Sequence, residues 1–163
     1  MNESQEHYDG FLKEVKRIRN IQTEQNKPGI DMENQLTEDI KDNFLAALDE
    51  TVLFLKPEDS DSTDLDETFK SELDAHAISF LYRAWAFYIA ENKQRTADSK
   101  HLKTVDDLAH DFLLTSCGHG AGFWEKSESD WLYTGSILEK IANNYFYHGF
   151  SIMDNGDGLL TGG

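Results

Sequence analysis

Hydrophobic positions recur along most of the chain at the spacing of an α-helix, and the period changes only near its end. Tyr8, Phe11, Leu12, Val15 and Ile18 make one apolar stripe, which Lys27-Pro28-Gly29 stops. A second stripe, Ile40, Phe44, Leu45, Leu48, Val52 and Leu55, predicts a helix opening near Thr37. Glu38 and Asp39 fall in its first turn, where the helix dipole favours anions. Lys56-Pro57 ends it, because proline disfavours the helical conformation for the residue before it. Residues 57–67, PEDSDSTDLDE, break the pattern: Leu65 is their one aliphatic hydrophobe, and they read as a solvated acidic loop. A third helix is predicted over about 67–94. Its apolar residues, from Phe69 through Phe80, Trp85 and Phe87 to Tyr88, cover more than one face, which marks the central, most buried helix.

The polar stretch NKQRTADSKH follows. Thr104 is then the expected N-cap of a fourth helix, with Asp107 at the capping-box position. Val105, Leu108, Ala109 and Phe112 keep the helical spacing, and Gly118 is a natural residue just past the helix end. A strand over 111–116 is the alternative, since a short apolar run fits either period. A fifth helix is expected over 132–145, carried by Ile137, Leu138, Ile141 and Tyr145. In the tail, aromatic and β-branched residues alternate up to Met153, and Asn155-Gly156 is a tight-turn signal. They predict a hairpin of about 147–153 and 157–161. No internal repeat is visible. The expected fold is mainly α, four to five helices with a small C-terminal β-hairpin, and α+β is the alternative. Residues 1–30 are expected to form an N-terminal amphipathic helix or arm, and 31–163 a single globular domain.

Composition narrows the function classes. At 163 residues, 39% hydrophobic and 12% aromatic, the chain can bury a real core and is too apolar for an acidic disordered protein. One cysteine excludes an internal disulfide framework and fits a reducing compartment. No apolar run is long enough for a membrane span, and MNESQEHYDG lacks the parts of a signal peptide. Acidic residues number 31 against 15 basic ones, a net charge of −16. Residues 31–75 alone hold fifteen acids and three bases, net −12, whereas 76–100 hold two acids and four bases. Direct contact with nucleic acid or an anionic membrane is disfavoured, because each needs a basic face. A block of this kind is either a solvated face or a surface for a basic partner.

The stretch HDFLLTSCGHGAGFWEK, beginning at His110, resembles the signature HDFWLTRNGHGAGFWDR of a family of small, mostly uncharacterised proteins encoded by tailed bacteriophages. The matching residues are His110, Asp111, Phe112, Leu114, Thr115, Gly118, His119, Gly120, Ala121, Gly122, Phe123 and Trp124. Asp154-Asn155-Gly156-Asp157-Gly158 resembles the family's terminal hairpin turn, and Leu65-Asp66-Glu67 its upstream triplet. The likeness covers roughly residues 40–160. The chain departs from it at Ser116-Cys117, where Arg-Asn is usual, and has SESDW in place of a Gly-rich step. The resemblance implies a phage origin and an α-rich fold with a small hairpin. It implies no activity.

Candidate chemistry is sparse. The glycines of GHGAGFW permit either a binding loop with His119 as its polar group or a helix stop that drops Phe123 and Trp124 into the core. They match neither a P-loop nor a dinucleotide turn. His110 and His119 with Asp111 or Asp130 lack any standard metal-ligand spacing, and Cys117 with His119 lacks an orienting third group. Asp59, Asp61 and Thr63 begin a calcium-loop pattern that fails at Asp64 and Lys70. No catalytic residue, metal or cofactor is expected.

The expected function is that of a phage-encoded acidic accessory protein acting by protein–protein binding in the cytoplasm of the infected bacterial host. Its partner-binding residues would be Asp59, Asp61, Asp64, Asp66 and Glu67, with His119 and Trp124. The partner would be a host or phage protein, a basic DNA-binding protein among the candidates. One alternative is a DNA mimic that inhibits a host DNA-binding or defence enzyme. Another is a small enzyme or metal-binding protein using His110 and His119. Homo-oligomerisation through the N-terminal helix is a further expectation.

Overall fold

A computed structural model describes Lys13 and residues 35–118, 122–123, 130–146 and 150–163. The predicted N-terminal helix, and any pairing of subunits through it, lies outside the described residues except for Lys13. The described elements run α1 (Glu38–Leu55), β1 (Asp64–Leu65), α2 (Glu67–Ala97), α3 (Val105–Ser116), α4 (Gly135–Ala142), β2 (Ile152–Asp154) and β3 (Leu159–Gly162). The fold is therefore mainly α with a small sheet at the C-terminal end, as the periodicity predicts.

Local chemistry sets the helix ends. Thr37 caps α1, its hydroxyl accepting from the Ile40 N–H at 3.2 Å, and Lys56 is extended before Pro57. Thr104 and Asp107 complete a reciprocal capping box on α3, and the helix continues through Ser116, which removes the strand alternative for 111–116. Gly118 follows with φ of 66°, the left-handed turn that glycine takes at least cost. Helix α2 starts where predicted but runs to Ala97. Asp66, assigned from sequence to the partner surface, also serves the fold. Its carboxylate accepts from the Phe69 N–H at 3.1 Å and caps α2.

The core forms where aromatic rings of α1, α2 and α3 meet. Phe80 stacks on Phe112 of α3 with ring centres 4.3 Å apart, and Phe44 of α1 and Phe123 lie 6.3 and 5.9 Å from it. Burying rings of this size supplies most of the driving force for folding. Helix α4 is shorter than the predicted 132–145. Tyr145 and Phe146 leave the helix to join this aromatic stack, Phe146 lying 4.2 Å from Phe150.

The sheet differs from the predicted hairpin in its strands and in its strand number. β2 and β3 pair antiparallel, Met153 opposite Thr161, over Ile152–Asp154 and Leu159–Gly162 rather than the predicted 147–153 and 157–161, of which 147–149 lie outside the described residues. β1 then adds in parallel to β3, with Asp64 opposite Leu159 and Leu65 opposite Leu160. The strand order is β1-β3-β2. The acidic stretch read as a solvated loop thus contributes a strand.

Candidate functional site: a pinned acidic segment and the glycine motif

The acidic segment is held by its serines. Ser60 and Ser62 are buried, whereas Asp59, Asp61, Thr63 and Asp64 are exposed. Ser60 Oγ donates to Asp154 Oδ2 at 2.8 Å, and Ser62 Oγ donates to the Gly158 carbonyl. The Asp66 N–H donates to the Leu160 carbonyl at 2.8 Å, and Lys56 Nζ to the Ser62 carbonyl at 3.1 Å. The Ser60, Ser62 and Asp66 bonds fix the backbone from Ser60 to Asp66 against the C-terminal hairpin, and the Lys56 bond closes the segment on itself. Small hydroxyls turn inward where the polar hairpin turn can satisfy them, and carboxylates turn outward into water, where an unpaired charge costs least.

The turn beneath is itself ordered. Asp154 Oδ1 accepts from the Gly156 N–H at 2.8 Å, and Asn155 Oδ1 from the Asp157 N–H at 2.8 Å. The Gly156 N–H, then the Ser60 hydroxyl, hold the Asp154 carboxyl below the usual carboxylate range. Asp59, Asp61, Asp64 and Glu67 are exposed and Asp66 is half-buried at its cap. All three lysines of residues 31–75 are engaged locally. Lys41 pairs with Glu38 at 2.8 Å, Lys70 with Asp49 and Asp74 at 2.8 Å each, and Lys56 with the Ser62 carbonyl. Among the described residues, the exposed carboxylates of 57–67 thus have no basic partner from their own block.

The described part of the glycine motif is taken up by packing. Phe112 and Phe123 are core rings, and Leu114 is buried. Thr115 Oγ1 accepts from the Phe123 N–H at 3.1 Å. Gly122 lies against that hydroxyl so closely that a side chain there would collide with it. The chain thus turns at Gly118 and folds back onto α3. His119, Gly120, Ala121 and Trp124 lie outside the described residues, so the expected contributions of His119 and Trp124 to a partner surface do too.

The members of the enzyme alternative that are described point to different neighbours. His110 Nδ1 lies 3.5 Å from Thr51 Oγ1 and its ring packs on Phe54. Asp111 Oδ2 accepts from Trp131 Nε1 at 2.6 Å, and burial pushes its carboxyl above the usual range. Burial also pushes the Cys117 thiol up to about 12. Such a thiol is protonated at neutral pH and is a poor nucleophile. Among the described residues, no group of three or more His, Cys, Asp or Glu side chains could hold a metal ion. Also among these, no helix is long and apolar enough to cross a membrane.

Sequence reasoning missed a buried polar cluster. Glu91 and Arg95 on α2 are 0% and 2% exposed and pair at 2.6 Å. Glu91 Oε1 also accepts from the Tyr133 and Thr134 N–H groups and the Thr134 hydroxyl, and Arg95 donates to the His101 and Asp130 carbonyls. It missed Ser60 and Ser62 as well, although the alternation Asp59-Ser60-Asp61-Ser62 is a period-two signal. Compared with known proteins, the chain matches no family model, no curated protein and no solved structure.

Proposed function

We propose that the protein is a non-catalytic accessory protein, of the tailed-phage kind its glycine motif resembles, that binds another protein through the acidic face in the cytoplasm of an infected bacterial cell. The observation that carries this reading is the pinned segment. Ser60, Ser62 and the Asp66 N–H anchor it to the hairpin, and Asp59, Asp61, Asp64 and Glu67 remain exposed beside it. A fixed backbone lowers the ordering cost of binding, and a one-sign field speeds encounter with a basic partner. A narrower reading has this face stand in for the phosphates of duplex DNA. It is favoured by the pairing of Lys41 and Lys70 with Glu38, Asp49 and Asp74, which directs two of the block's three lysines to carboxylates outside residues 57–67.

The test is affinity capture from bacterial lysate with two baits. One is wild type and the other carries Asp59→Asn, Asp61→Asn, Asp64→Asn and Glu67→Gln. Asp66 is kept because it caps α2. The expected result is a partner retained by the first bait and lost from the second, with duplex DNA competing if the narrower reading holds. Equal capture by both baits contradicts the acidic face. Turnover of a substrate that disappears on changing His119 or Cys117 contradicts the non-catalytic reading.

A further inference from the structure

Phe54 is the most exposed large apolar side chain described, at 68%. It stands in the last turn of α1, and its ring centre lies 5.5 Å from that of His110 on α3. His110 is half-buried, with Nδ1 towards Thr51, so it backs the exposed ring from the protein side. Helical spacing places Glu50 one turn before Phe54 on α1 and Asp106 one turn before His110 on α3, and both carboxylates are exposed. The surface is an aromatic face edged by negative charge.

That combination selects its occupant. Anionic lipid is repelled, and a second copy of a chain carrying −16 is repelled too. A guanidinium satisfies both features, since its plane stacks on an aromatic ring while its edge donates to carboxylates. An ammonium is smaller and more strongly hydrated. We propose that Phe54, backed by His110 and flanked by Glu50 and Asp106, seats an arginine side chain of the protein partner. The inference rests on the acidic-face reading above and adds the anchor that would give that face a preference among cations.

The test uses the full chain and two dye-labelled peptides of equal length and charge, one arginine-rich and one lysine-rich, followed by fluorescence anisotropy. Wild type should bind the arginine peptide about two- to five-fold more tightly, the range expected of an exposed cation–π contact. Phe54→Ala should bring the two peptides to parity, and Phe54→Tyr should keep the preference. Equal binding by wild type, or a preference that survives Phe54→Ala, overturns the anchor. The variant neutralised at Asp59, Asp61, Asp64 and Glu67 should weaken both peptides alike. If it binds both as wild type does, the acidic-face reading fails separately. Thermal unfolding of Phe54→Ala should match wild type, because the ring is largely in water.

Discussion

Asp111 illustrates how burial redirects a residue of versatile chemistry. Beside His110 in the sequence it invites a metal-ligand reading, yet its carboxylate is engaged by the Trp131 indole N–H at 2.6 Å. That partner is twenty residues away across the glycine motif, so nothing local in the sequence foretells the pairing. The pKa is raised by burial, against the Trp131 hydrogen bond and the Lys103 and His110 charges. A raised carboxyl pKa adds stability at low pH, and this is lost as pH rises through the folded-state value. Asp111→Asn should therefore be at least as stable as wild type at neutral pH, since the amide oxygen can still accept from Trp131. Asp111→Ala should lose about 1–3 kcal/mol by orphaning the indole N–H. Urea unfolding of the two variants at neutral pH checks the pair, and equal losses would refute this role for the carboxyl oxygen. Cys117, with its thiol pushed up to about 12, should alkylate far more slowly in the native protein than in urea.

At the scale of elements, the starts of α1 and α3 were readable because a cap acts within three residues, whereas α4, predicted from 132, starts at Gly135 without a side-chain cap. Thr37, Thr104 and Asp107 do what their types and spacing predict. Strand β1 was not readable, because Ser62 meets Gly158 across a separation of 96 residues. Glu91 and Arg95 fell between these cases. Their four-residue spacing normally marks a solvated pair on a helix surface, and only the tertiary structure buries it. Arg95→Met should cost about 3–5 kcal/mol by removing the cationic partner of the buried Glu91. Replacing both residues with apolar ones should not restore stability, because Glu91 also receives the Tyr133 and Thr134 N–H groups at the start of α4. Full recovery in the double variant, measured by denaturant unfolding, would show that this capping is dispensable. Just past the same C-terminal end of α2, Ser99 holds a φ of 56° where glycine is the usual residue. Ser99→Gly should raise stability by up to about 1 kcal/mol.

At the scale of the whole molecule, the charge and the fold meet at one end. The start of α2 and the strand before it are sewn to the C-terminal hairpin, and the densest run of carboxylates rides on that seam. The charge block was legible in the sequence, with −12 over residues 31–75, but its attachment was not, since the hairpin that holds it is remote in the chain. The glycine motif left a binding loop and a helix stop both open in the sequence, and its described residues Gly122 and Phe123 pack against Thr115. Everything proposed for the acidic face depends on its carboxylates being presented from a fixed backbone. Amide hydrogen exchange of the free protein, resolved at Asp66, tests this most directly, because that N–H donates to Leu160 across the seam. Strong protection of this amide is expected in wild type, with a marked loss when Ser60 and Ser62 are both changed to Val. Exchange of Asp66 in wild type at the rate of an unstructured peptide would contradict a fixed backbone.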